Sequence, residues 1–333
     1  MATVAHPLAP GYSPIDEDPS GPPKLLVVID TEEEFDWNEP FDRANDSVAA
    51  MSDVGHLQGV FDEFGIVPTY VIDYPVASKP EGYGLLKEYA ADGRATIGAH
   101  LHPWVTPPHE EKVCAYNSYP GNLTSALERQ KLETMVATIE ENFGERPTIY
   151  KAGRYGLGPN TAETLAELGF LIDLSLCPPF DYTEDGGPDY SRYDARPYRF
   201  WDGMLGLPTT GAFVGYLGGG SRGAYALAKK KSLEWARLPG ILSRLGAVDR
   251  LFLSPEGYEH ADHVRLTRFL LDRGLRTFTF SLHSPSARPG CTPYVKDERE
   301  LHEFLGTCRR YFEFFLGELS GRATTPAEVR AQL

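Results

Sequence analysis

Short apolar runs alternating with stretches of helical spacing constrain this chain more than any other feature. The runs fall at 25–30 (LLVVID), 67–73 (VPTYVID), 95–102 (ATIGAHLH), 148–153 (TIYKAG), 170–177 (FLIDLSLC), 205–213 (LGLPTTGAF), 250–257 (RLFLSPEG) and 276–283 (RTFTFSLH). Each is the length of a strand and rich in aliphatic or β-branched residues. Between the first two, Val48, Met51, Val54, Leu57, Val60, Phe61 and Phe64 form one helical stripe, closed by Gly65. A second stripe, Leu127, Leu132, Met135, Ile139 and Phe143, follows Ser125-x-x-Glu128, which reads as a capping box, and ends at Gly144. Further helices are expected over 81–92, 161–168, 260–273 and 297–319. Strand, helix, strand, repeated this often, predicts a parallel sheet or barrel covered by helices, with its site at the strand C-termini.

Two regions break the alternation. Residues 178–204 are rich in Pro, Gly, Asp and aromatics and read as a long structured loop; 215–249 reads as a glycine loop followed by a basic helical segment. Together they form an insertion at about 178–249. The sequence GGGSRG lacks the Gly-Lys-Ser/Thr ending of a phosphate loop and is read as a hinge or lid. Residues 1–23 are proline-rich and read as a flexible arm, leaving 24–333 as a single domain. In the long C-terminal helix, Tyr311, Phe312, Phe314 and Phe315 either complete the core or form a dimer face, so the oligomeric state stays open.

With 41% hydrophobic and 24% charged residues the chain is globular in composition, and no stretch approaches a membrane span. A formal charge of -15 argues against nucleic acid and anionic membrane surfaces as partners. The N-terminus lacks the basic start and apolar core of a secretory signal, so a cytoplasmic location is expected. Cys114, Cys177, Cys291 and Cys308 form no C-x-x-C pair and read as reduced thiols.

The chemistry gathers where the runs end. The first delivers Asp30 and Glu32, the third His100 and His102, the fourth Lys151 and Arg154, and the last His283. In an extended segment residues i and i+2 share a side, so His100 converges with His102 and Asp30 with Glu32. Two imidazoles and a carboxylate are ordinary ligands of a catalytic divalent metal, zinc fitting best and other first-row ions remaining open. Asp30 is the candidate base, His283 the candidate acid, and Lys151 or Arg154 the cation that orients the base. The stretch SPEGYEHADH adds Glu256, His260 and His263, the histidines reading as surface residues at a helix N-terminus.

These motifs, in this order over residues 24–295, resemble the polysaccharide deacetylases of carbohydrate esterase family 4, the NodB-homology group, and in particular its divergent WalW-type branch. The resemblance implies an α/β fold, a distorted (β/α)7 barrel, a divalent metal, and removal of an N- or O-acetyl group from a sugar or oligosaccharide. By position it makes Asp30 the base, Glu32 the acidic ligand, His100 the first metal histidine and His283 the general acid. The sequence departs from the family pattern in three places. Thr31 follows Asp30, leaving either Glu32 or Asp30 as the acidic ligand; Trp104 holds the usual place of the second histidine, so His102 must substitute from another register; and either Lys151 or Arg154 contacts the base. Trp104, Trp37 and Tyr155 are expected to stack on sugar faces. Two alternatives keep the fold: an allantoinase-like hydrolase of a non-sugar amide, and a non-catalytic carbohydrate-binding barrel.

Overall fold

The structure, a computed structural model, describes residues 11–35, 39–215 and 249–333. Trp37, the first ten residues of the arm, and the glycine loop with most of the basic segment after it lie outside the described residues. The strands in chain order are β1 (Ser13–Pro14), β2 (Lys24–Thr31), β3 (Thr69–Ile72), β4 (Thr96–Leu101), β5 (Ile149–Ala152), β6 (Ile172–Asp173), β7 (Tyr198–Phe200), β8 (Met204–Gly206), β9 (Gly211–Val214), β10 (Asp249–Phe252), β11 (Thr277–His283) and β12 (Arg322–Ala323). The helices are α1 (Gly55–Glu63), α2 (Tyr74–Ser78), α3 (Pro80–Ala91), α4 (Ser125–Phe143), α5 (Thr161–Glu167), α6 (His260–Leu271), α7 (Glu298–Phe312) and α8 (Pro326–Gln332).

Strands β11, β2, β3, β4, β5, β6 and β8 pair side by side in parallel, as the alternation predicts. Antiparallel β7 and β1 extend the β8 edge. Among the described residues the ladder does not close into a barrel: β8 and β11 share no register, and β9 pairs only with β10. The gap is spanned by single hydrogen bonds, Leu253 N–H to the Thr210 carbonyl (2.8 Å), Ser281 N–H to the Leu253 carbonyl (3.0 Å) and Thr279 N–H to Thr210 Oγ1 (2.8 Å). The sequence explains the interruption, because the 205–213 run contains Pro208, which offers no N–H to a ladder, and splits into β8 and β9 around it.

Side chains of β2 alternate between the faces. Leu25, Val27 and Ile29 join the large core between sheet and helices, whereas Leu26 and Val28 pack in a smaller cluster with Val71, Ile149, Ile172 and Leu205. Val329 of α8 belongs to that smaller cluster, so the last helix packs on the same face. Each fully buried aliphatic side chain contributes about 1.5–3 kcal/mol. The stripes behave as amphipathic faces: Leu57, Val60 and Phe61 of α1 and Leu132, Met135 and Ile139 of α4 are buried. Tyr311 and Phe312 of α7, with Phe314 and Phe315 beyond it, are buried in the core, Tyr311 lying parallel to the Phe280 ring at 5.1 Å.

Three local features differ from expectation. The N-cap of α4 is Thr124, whose side chain accepts from Leu127 N–H, while Glu128 is buried and accepts a hydrogen bond from Thr161. The segment from Gly11 onward is docked: β1 pairs with β7, and the Glu17 carboxylate accepts from Thr277 N–H (2.8 Å) and meets Lys24 Nζ (3.0 Å). His263 is a core residue, with Nε2–H donating to the Ser254 carbonyl (2.7 Å). No helix among the described residues is long and apolar enough to cross a membrane.

Candidate functional site

Parallel register brings the strand ends together. Asp30 at the end of β2 sits opposite His283 at the end of β11, and His100 in β4 sits opposite Lys151 in β5. Because Asp30 and Glu32 continue the Leu26, Val28 alternation, both leave β2 on the face of the smaller apolar cluster. Here they border a cleft of about 770 Å³ that His100, His102, Trp104 and His283 also line.

Glu32, His100 and His102, all buried, offer one ligand atom each within 4.8 Å of one another. The Nε2 atoms of His100 and His102 lie 3.7 and 3.5 Å from Glu32 Oε2. On the far side of each ring, His100 Nδ1 lies 3.0 Å from the Lys151 carbonyl and His102 Nδ1 lies 2.8 Å from Glu33 Oε2. A carbonyl can only accept, so His100 carries a proton on Nδ1, and the neutral ring then has its lone pair on Nε2. Burial lowers the pKa of His102, which keeps that ring neutral as well. Burial alone would raise the Glu32 carboxyl, but the charge of His283 leads the influences that bring it below its ordinary value. Two neutral imidazole lone pairs facing one carboxylate are the donor set of a divalent metal of the zinc type.

Asp30 is not one of that trio. Lys151 Nζ donates to both of its oxygens, at 2.5 and 2.7 Å, and is itself fully buried over the face of Tyr155. Burial pushes Asp30 up, yet its neighbours, Lys151 first, bring it below its ordinary value. His283 Nε2 lies 3.7 Å from Asp30 Oδ2, across the cleft from the imidazole pair. Its Nδ1 is 2.6 Å from Glu256 Oε2, and its backbone N–H donates to Glu256 Oε1 (3.0 Å), which also accepts from Ser286 (2.6 Å). Burial would lower the His283 pKa, but Glu256, Glu32 and Asp30 raise it to about 10.

The other expected residues take different places. Arg154 does not reach Asp30: it donates to Ser118 Oγ (2.7 Å) and Asp185 (3.1 Å) and lies over the Tyr119 ring at 4.2 Å, on the cleft wall. Trp104 lines the cleft but is only 2% exposed, stacked on His102 with ring centroids 4.3 Å apart. Tyr155 lines the cleft and stacks on Tyr182. Between Lys151 and Arg154, Gly153 lies so close to β4 that a Cβ there would collide with the Leu101 carbonyl and, at 2.5 Å, with His102 Cδ2. Two contributors carried no assigned role in the sequence. Glu256 lies near the end of the 250–257 run, beyond β10, and Glu33 sits inside the acidic stretch after β2, on the opposite side of the His102 ring from Glu32.

No family model matches the sequence, and no curated protein matches it. Among solved structures the chain is similar to a protein classed as a polysaccharide deacetylase from Mycobacterium smegmatis, at 18% identity and a TM-score of 0.53, over 98% of this chain and 94% of that one. It is also similar to Puue allantoinase, at 17% identity and a TM-score of 0.54, over 96% and 93%. At such identities the likeness is one of fold.

Proposed function

We propose that this chain is a metal-dependent hydrolase that removes an acetyl group from an N-acetylated or O-acetylated sugar or oligosaccharide. The reading is supported by one observation above the rest: a Glu32, His100, His102 donor trio flanked by a lysine-held carboxylate, Asp30, and a glutamate-held imidazole, His283. A pure binding site has no need of a base and an acid beside such a trio. The seven parallel strands of the main ladder, with short β12 pairing beside β2, and the bridged gap between β8 and β11 agree with a distorted (β/α)7 barrel.

Glu32, His100 and His102 would hold the divalent ion, zinc by the nature of the donors, and the ion when bound supplies Lewis acidity to water and to the substrate carbonyl. Asp30, ionised under the influence of Lys151, takes the proton of the attacking water. His283, kept protonated and oriented by Glu256, delivers a proton to the leaving nitrogen or oxygen of the sugar. Lys151 thus serves as the cation that orients the base, and Arg154, Trp104 and Tyr155 shape the cleft wall around the substrate.

Hydrolysis of a cyclic or linear ureide is the second reading, favoured by the fold shared with Puue allantoinase. Purified protein loaded with zinc, assayed for acetate release from N-acetylglucosamine oligomers and for allantoin turnover, separates the two. Acetate release that is abolished by a chelator is the expected result. Allantoin turnover without acetate release would transfer the site to the second reading, and turnover of both substrates in chelator would overturn the metal.

A further inference from the structure

The two histidines of the trio are held differently. His100 lies within β4 and is fixed by the sheet ladder, whereas His102 lies one residue past the strand end, where no ladder bond reaches it. Its backbone carbonyl accepts from Thr106 N–H (3.2 Å) and Oγ1 (2.7 Å), which fixes the peptide but leaves the ring free to rotate about its own bonds. What stops the ring is a chain of buried groups. Glu33 Oε2 lies 2.8 Å from His102 Nδ1, within hydrogen-bond distance; Glu33 N–H donates to Asp73 Oδ2 at 2.8 Å; Asp73 Oδ1 accepts from Val76 N–H at 2.8 Å as the N-cap of α2. Asp73 N–H in turn donates to the Thr31 carbonyl (3.0 Å), and the Trp104 ring covers His102 from one side. Glu33 and Asp73 are both fully buried.

We propose that Glu33, itself fixed by Asp73, is the positioning residue for His102: it holds the imidazole proton on Nδ1 and so keeps the Nε2 lone pair turned toward Glu32 and His100. This rests on the metal-site reading above. A neutral imidazole has one N–H, and only an acceptor at Nδ1 keeps Nε2 open as a donor to an ion. Glu33, Asp73 and His102 also lie near enough to surround an ion of their own. Their direct hydrogen bonds, with the Glu33 N–H already on Asp73, make a proton what joins them. The displaced histidine therefore takes its orientation from the ends of β2 and β3 rather than from its own strand.

The test uses the whole chain with Glu33→Met, which fills similar volume without an acceptor, and Glu33→Gln, whose amide oxygen still accepts. Nitrogen-15 spectra of histidine-labelled, metal-free protein report the tautomer of His102, and chelator competition reports zinc affinity. Nδ1–H in the wild type is expected, with Glu33→Met losing that preference and about 10–100-fold in zinc affinity, and Glu33→Gln retaining both more closely. A merely structural Glu33 would lower the melting temperature and leave tautomer and affinity unchanged, overturning the proposal. If Glu33→Met does not fold, an Nε2–H tautomer of His102 in the wild type overturns it alone. Absence of zinc binding by the wild type would sink the metal reading instead, leaving the tautomer to decide the role of Glu33.

Discussion

Asp30 and His283 stand opposite one another in register, and the protonation state of each is set foremost by one buried partner. Lys151 holds Asp30 ionised against the push of burial. In Lys151→Met that cation is lost, the Asp30 pKa rises, and the base is protonated over a wider acid range. The acid limb of the kcat/KM profile is then expected to move to higher pH, with activity at neutral pH falling by about 100-fold or more, read by steady-state kinetics across pH. Glu256 acts on His283 with the opposite sign of charge: burial favours the neutral ring, and the glutamate first among the acids raises it to about 10. Glu256→Gln removes that anion, so His283 loses its proton at lower pH and the alkaline limb moves down; each pH unit of movement corresponds to about 1.4 kcal/mol. An unmoved alkaline limb would show that His283 is not the acid. Of these residues the sequence displayed Asp30, Lys151 and His283 through their places at strand ends, but not the choice of Lys151 over Arg154. That choice depends on backbone geometry: Arg154 and Tyr155 adopt positive φ of 52° and 58°, which carries the arginine onto the cleft wall toward Asp185.

At the scale of elements, strand existence was legible because apolar runs and helical stripes have different periods, and parallel pairing followed from their alternation. Ladder closure was not legible. It depends on whether residues 209–210 and 253 meet by regular register or by isolated bonds, a matter of bend at Pro208 and Ser254-Pro255 that pattern does not encode. The start of α4 shows a similar limit, since Thr124 and Ser125 are both good capping residues and only the backbone decides between them. Thr124→Ala is expected to destabilise the fold by about 1 kcal/mol in urea unfolding, with activity retained, because the cap lies outside the cleft lining. Gly153→Ala is a stronger probe of how elements place the site. Its Cβ would press on the Leu101 carbonyl and the His102 ring, so β4 and β5 must separate or His102 must turn. A loss of about 1–3 kcal/mol in stability is expected, together with weaker zinc binding by chelator competition. Unchanged affinity together with a full loss of stability would mean that the strands separate and His102 keeps its place.

At the scale of the whole molecule, one end of a parallel sheet carries buried acids contributed by strands far apart in the chain: Asp30 in β2 and Glu32 after it, Asp73 after β3, and Glu256 after β10. Lys151 and His283 answer part of this charge within the fold, His283 acting on Glu32 as well as on Asp30. A divalent ion that binds only the folded chain must therefore stabilise the whole domain through mass action. At zinc concentrations near 100 times Kd the gain is about 2.7 kcal/mol. For a chain of 333 residues, unfolding entropy of about 2 cal/mol/K per residue converts this to a rise in Tm of about 4 °C. The rise is expected to vanish in His100→Ala and in His102→Ala, and to persist in Thr124→Ala, in which the trio is intact. It should also shrink as pH falls. Protons compete with the ion for its imidazole and carboxylate donors, so binding weakens as pH falls. Calorimetric scans with and without zinc between pH 5 and pH 8 would follow this. A zinc-induced shift that is independent of pH, or that survives both histidine substitutions, would locate the ion elsewhere and remove the basis for a metal-dependent hydrolase.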